Sequence, residues 1–225
     1  MAKRTTMISP SWRFLYFAGF LVCCHTPALA QQFSADLVVA RNGVATSVAK
    51  LRALNDKVRI ETPDFPDGFF VSDGSNLVSY FARPKAHLFM EARQSNWLVP
   101  MFVPVDPEDP CQQWRNMAKV AGAAVQDGQW RCERAGEEII DGRQALRYRI
   151  IPSPGREMFG WVDRDLKFPL KIQREDGTTA HVANIQEAPQ QAPLFEIPTG
   201  FRKFDPEALI KRIKQSDVWV EEPRL

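Results

Sequence analysis

Few residues of this 225-residue sequence have the type and spacing that chemistry demands. Cys111 and Cys132 lie 21 residues apart. In an oxidising compartment such a pair forms a disulfide, and closing a loop of that length stabilises a fold by about 3 kcal/mol in the chain-entropy model. A metal would need two further ligands. Beyond residue 30 the histidines are His87 and His181, both far from the cysteines in sequence. Each sits in a strand-like pattern, where a structural or surface role is the ordinary one. Asp106-Pro107-Glu108-Asp109-Pro110 holds three carboxylates in five residues. A general acid/base pair is conceivable there. Two prolines hold the segment extended with no visible partner, so it reads as a solvated turn. The sequence contains no Gly-rich phosphate loop, no Gly-x-Ser-x-Gly elbow, no His-Glu-x-x-His and no metal-spaced cluster. The expectation is a protein that is not an enzyme, with no catalytic residue, no cofactor and no metal.

The elements that would position any site are mostly strands. Phe33–Ala40 and Val44–Leu51 flank Arg41-Asn42-Gly43, and Asn-Gly is a strong hairpin signal. Lys57–Glu61 alternates strictly, with Val58 and Ile60 on one face. Phe69–Ser72 and Leu77–Ala82 are joined across Asp73-Gly74, and Lys85–Glu91 alternates as well. Leu146–Ile151, Glu157–Asp163, Leu170–Glu175 and Thr178–Ile185 follow, the last two linked by Asp176-Gly177. Leu146, Tyr148 and Ile150 face one way, Arg147 and Arg149 the other, as in an antiparallel sheet with one wet face. Two segments read as helices. Gln112–Ala121 is tied to the sheet by Cys111. Pro206–Gln215 has Asp205 as N-cap and an apolar stripe of Leu209, Ile210 and Ile213, predicted to pack on the sheet.

Residues 1–30 carry a secretory signal: basic Lys3, Arg4 and Arg13, an apolar run over Phe14–Val22, then Ala28-Leu29-Ala30 before a cut at Gln31. The apolar run is too short to span a bilayer permanently, and no later stretch reaches that length. A lipid anchor needs a small residue before its cysteine, whereas Val22 precedes Cys23 and Cys23 precedes Cys24. A bacterial periplasmic or secreted chain is expected, with 31–225 as one domain. Removing three leader cations from 29 basic residues leaves 26 against 27 acidic, a net charge of −1. That balance gives no electrostatic case for nucleic acid.

One stretch, Trp97–Val105, is almost wholly apolar without alternation, and Pro100 and Pro104 bar it from a regular helix or a central strand. It must be hidden from water, either as a permanent flap on the sheet or as a lid over a cavity for an apolar ligand. Under the lid reading Trp97, Leu98, Met101 and Phe102 line the ligand space, with Phe69, Phe70, Phe81 and Phe89 from the strands upstream.

With these elements placed, the chain resembles the outer-membrane lipoprotein-sorting proteins (LolA/LolB-like), and among them a branch of secreted bacterial proteins of unknown function. The resemblance rests on Phe33-Ser34-Ala35-Asp36-Leu37-Val38-Val39 at the start and on Asp109-Pro110-Cys111 in the middle. It rests also on the block from Trp130 to Arg143, which carries Cys132, and on Phe195-Glu196-Ile197-Pro198-Thr199-Gly200-Phe201 near the end. It implies a mainly β, α+β architecture: a curved antiparallel half-barrel sheet covered by helices and loops, with acyl chains bound on the concave face. It transfers no binding residue. The function expected is binding of an apolar ligand, such as a lipid or the acyl chain of a lipoprotein. The alternative is a periplasmic interaction or sensor domain using the same sheet for a periplasmic or outer-membrane protein partner.

Overall fold

The computed structural model describes residues 31–91, 99–123, 125, 130–153 and 155–215. Its strands are β1 (Gln32–Arg41), β2 (Val44–Leu54), β3 (Lys57–Glu61), β4 (Phe69–Asp73), β5 (Val78–Arg83), β6 (Leu88–Glu91), β7 (Arg131–Ile140), β8 (Arg143–Ser153), β9 (Arg156–Asp163), β10 (Phe168–Arg174), β11 (Thr178–Glu187) and β12 (Arg202–Lys203). The helices are α1 (Pro110–Val120) and α2 (Pro206–Gln215). All twelve strands form one sheet in the order β12-β6-β5-β4-β3-β2-β1-β11-β10-β9-β8-β7. Every neighbouring pair is antiparallel except β12 with β6.

Short turns set this meander. Asn42 and Gly43 both adopt positive φ, 51° and 80°, the conformation that a two-residue hairpin loop requires and that Asn-Gly supplies at little cost. From β1 the strands run outward to β6; the chain then crosses by way of α1 to the opposite edge at β7 and runs inward to β11, which pairs with β1.

The sheet is strongly curved, and α1 shows why. Cys111 on α1 is bonded to Cys132 on β7, with Cα atoms 5.9 Å apart, while Gln113 Nε2 donates to Gly74 O in the β4–β5 turn at 2.8 Å. In a flat sheet β4 and β7, eight positions apart, would be separated by about 38 Å. An eleven-residue helix is only about 16 Å long. The sheet therefore wraps around α1 as an open half-barrel.

Alternation assigns the concave face. Leu37, Leu51, Val58, Ile60, Phe70, Leu146, Ile150, Val162, Phe168, Leu170, Ile172 and Val182 form one core with Trp114 of α1. Trp114 is fully buried, donates to Met101 O at 3.1 Å and brings its six-membered ring up to Gly160 of β9. It can do so because position 160 is glycine: a Cβ there would stand 2.4 Å from the indole.

Three expectations are corrected. Lys85–Glu91 is not one strand: Pro84–Ala86 forms a 3-10 turn, and His87, at φ 50°, separates it from β6. Pro84 opens that turn, and its fixed φ and missing N–H suit the turn better than a continuing ladder. The segment Arg131–Ile140, within the Cys132-bearing block and assigned no element from the sequence, is a ten-residue edge strand. It is charged on both faces, so alternation does not reveal it. Finally, α2 does not bury its stripe: none of its residues is buried.

Candidate functional site

The concave face should hold any apolar ligand, and the described part of the segment predicted as lid or flap lies there. Residues 99–101 make a 3-10 turn, and Met101, Phe102, Val103 and Val105 are buried. Three hydrogen bonds fix the segment and its continuation: Trp114 Nε1 to Met101 O at 3.1 Å, Val105 N to Lys167 O at 2.9 Å, and Tyr148 Oη to Pro107 O at 2.6 Å. Burial pushes the Tyr148 phenol above its ordinary range, with the Glu108 carboxylate adding to the shift. Much of the concave face is thus packed core.

The residues predicted to line a ligand space are divided between the two faces. Phe70, Met101 and Phe102 belong to the concave core, and Phe81 packs against it. Phe70 and Phe81 stand opposite each other across β4 and β5, ring centroids 4.8 Å apart. Phe69 and Phe89 are on the outer face, in a separate cluster with Val71, Ala82, Ile197 and Phe201. Trp97 and Leu98 lie outside the described residues. Strand alternation makes the Phe69–Phe70 division legible in sequence, since adjacent strand residues point to opposite faces. Phe65, from the β3–β4 connection, is the aromatic that sequence reading missed. It packs edge-on against Phe81 at 5.3 Å and Phe70 at 6.2 Å while 50% exposed.

Where α1 ends, a groove of about 290 Å³ opens beside the core. Met101, Met158, Ala118, Trp130 and Pro152 make its apolar lining, and Arg156, Glu157, Arg174 and Glu175 its charged part. Glu157 accepts from Arg149 at 2.8 and 3.1 Å, which holds its carboxyl below the ordinary carboxylate range, and Arg149 Nη1 also reaches Glu133 at 3.0 Å. Glu175 accepts from the Glu157 backbone N–H, and Arg174 pairs with Asp176. Methionine is unbranched and polarisable, so two methionines give an adaptable wall. Among the described residues, none in the lining offers a nucleophile with an adjacent base.

The other groups singled out for chemistry are dispersed. His87 contacts the Phe201 ring at 5.5 Å, and His181 lies mid-strand on β11 opposite Val38 and Lys171. Asp106 accepts from the Glu108 N–H within its own turn, and Pro110 then begins α1. No group of three or more His, Cys, Asp or Glu able to hold a metal occurs among the described residues. No helix among them is long and apolar enough to cross a membrane.

No family model and no curated protein matches the chain. Solved structures do. PNGF-II is similar with a TM-score of 0.50 at 10% identity, over 83% of this chain and 34% of that one. MucB of Pseudomonas aeruginosa, solved in complex with MucA, gives a TM-score of 0.42 at 18% identity, over 76% of this chain and 57% of that one. A domain named for outer membrane lipoprotein sorting, from Vibrio parahaemolyticus, gives 0.38 at 11% identity, over 76% of this chain and 92% of that one. The chain thus spans about a third of the length of PNGF-II and little more than half that of MucB. At these identities a likeness concerns the fold, and the fold is the open, curved, mainly antiparallel half-barrel that the sequence resemblance to lipoprotein-sorting proteins implied.

Proposed function

We propose that this chain is an exported, non-enzymatic binder of an apolar ligand, such as a lipid or the acyl part of a lipoprotein. It acts in the periplasm after removal of residues 1–30, with 31–225 as one domain. One observation carries the reading: the groove beside the packed core, floored by Met101 and Met158 and walled by Trp130. Its volume of about 290 Å³ lies just below the range of small-molecule sites, roughly 300 to 1,000 Å³. A single acyl chain suits it better than a bulky ring system. Burial of apolar surface would drive binding at about 25 cal/mol per Å² before ordering costs.

The test is a titration with a fluorescent fatty acid, read also by Trp130 emission, on wild type and on Met158→Asp. Wild type should bind and the variant should lose most of its affinity while keeping a cooperative melt. A wild type that neither binds the probe nor carries lipid in native mass spectrometry would end the reading.

A protein partner is the second reading, favoured by β7. Among the described residues this ten-residue strand ends the sheet and pairs with β8 alone, which leaves its outer row of backbone groups to an added strand. Its charges and the irregularity between Arg134 and Gly136 work against indiscriminate pairing. Binding of a periplasmic protein that is abolished by a proline at Glu137, with fatty-acid binding absent, would favour this reading.

A further inference from the structure

The mouth of the Met101–Met158 groove carries polar groups that select among apolar ligands. Cys132, Ile150, Met158 and Arg174 stand in one row across β7–β10. Ile150 and Met158 are buried core, so the row lies on the concave face. Side chains two residues apart along a strand share a face. Trp130 precedes Cys132 by two and Arg156 precedes Met158 by two, and both line the groove one row further out. Alternation sends Glu157 to the outer face, where both of its oxygens accept from Arg149.

Two groups of that outer row lack a partner. Arg156 is exposed, and its guanidinium makes no ion pair or hydrogen bond among the described residues. The Trp130 Nε1–H is shut off from water and has no acceptor among them. A buried donor left without an acceptor is costly, and an oxygen brought by a ligand satisfies it. The other charges are committed: Arg174 pairs with Asp176 at 3.5 Å, and Glu175 accepts from the Glu157 N–H at 3.4 Å. A guanidinium and an indole N–H beside an apolar floor are thus complementary to an anionic oxygen head on an apolar chain. A guanidinium forks onto the two oxygens of a carboxylate, and a groove of about 290 Å³ suits one chain better than two. We propose that the groove takes an unesterified fatty acid, its chain along Met101 and Met158 and its carboxylate on Arg156, with the half-buried Trp130 indole turning its N–H to the same head. Resting on the groove as the ligand site, this names the headgroup and excludes an ester- or amide-linked acyl chain, which has no carboxylate at that end.

The test is calorimetric titration of the chain from Gln31 to Leu225 with dodecanoate, methyl dodecanoate and dodecanol, which share a chain and differ in the head. Wild type should bind dodecanoate about tenfold more tightly than the two neutral ligands, the scale of one hydrogen-bonded charge. Arg156→Gln should remove that preference and leave the dodecanol affinity unchanged, with no shift in the thermal melt, because the side chain is exposed and unpaired. Arg156→Lys, which keeps the charge and loses the fork, should restore part of the preference. Trp130→Phe keeps an aromatic wall without the donor and should weaken dodecanoate by about threefold without lowering the melt. Dodecanol bound as tightly as dodecanoate, or a preference that survives Arg156→Gln, would overturn the fatty-acid assignment and leave the groove an apolar site. Failure of all three ligands to bind would overturn the groove as a ligand site, and the assignment with it.

Discussion

The two ends of the sheet treat their outer faces in opposite ways. Across β7–β10 the outward positions hold charge and aromatic rings together. Arg149 joins Glu133 and Glu157, Arg147 bonds Glu138 at 3.3 Å and lies 4.3 Å from the Phe159 ring, and Trp161 sits beneath Arg147 and Lys171 while donating to Glu138 at 2.8 Å. That face is its own cover. Across β4–β6 the outward positions include Phe69, Val71, Ala82 and Phe89, which form an apolar cluster of their own. The chain covers them from its distant C-terminal segment: Ile197 and Phe201 pack on this face, and Leu194 O accepts from Arg59, whose guanidinium lies 3.6 Å from the Phe69 ring. One end is stabilised by neighbours in the ladder, the other by residues more than a hundred positions away. Losses should therefore stay local at the first end and spread along the chain at the second.

The largest effect should come from the helix that both ends share. Trp114→Ala should cost about 3–5 kcal/mol in a urea melt, as truncation of a fully buried aromatic does, and should loosen both ends in hydrogen exchange. Protection lost at one end alone would show that the two are separate units. Next, replacing Cys111 and Cys132 together by Ser should cost about 2–5 kcal/mol, with the loss concentrated in β7 and α1. Two free thiols at these positions, counted by alkylation and mass in protein purified without reductant, would remove the bond from the account.

A direct comparison sets Phe201→Ala against Arg147→Ala. The first strips cover from the β4–β6 face and should cost about 1–3 kcal/mol, freeing residues 192–203 to proteolysis. The second removes a surface pair and a ring contact and should cost about 1 kcal/mol, without opening the fold. Equal losses would erase the distinction between the two ends.

The smallest effect concerns acid at mid-sheet, where hydrogen bonds from Lys50 and Asn184 hold the Asp36 carboxyl below its ordinary 3.8. A depressed carboxylate stabilises the fold above its unfolded value and loses that contribution as the pH falls through the folded one. Stability should thus decline below about pH 4, and Asp36→Asn should flatten that limb. An unchanged acid limb would mean that the Lys50 pair contributes nothing measurable.

Much of this arrangement was legible one segment at a time. The Asn42-Gly43, Asp73-Gly74 and Asp176-Gly177 turns lie between the strands that their chemistry predicts, and Arg147 and Arg149 face away from Leu146, Tyr148 and Ile150 as alternation requires. β7 escaped because an edge strand charged on both faces has no apolar period. The ligand-lining set was harder still. Aromatic content alone carries no face, whereas the β4–β6 pairing puts Phe69 and Phe89 on one side and Phe70 and Phe81 on the other; of these only the adjacent pair Phe69–Phe70 is divided by alternation within one strand.

By itself the sequence determined the local geometry of this protein: where turns fall and which side chains alternate. These follow from backbone sterics and side-chain period, which act over a few residues. Only the tertiary structure decided that Gly160 makes room for Trp114, that the Phe195–Phe201 region covers an apolar face, and that α2 keeps its stripe outward. Such choices depend on which surfaces meet when a twelve-stranded sheet curves around one helix. Apolar burial drives that meeting without direction of its own, and the assembled shape selects the partners.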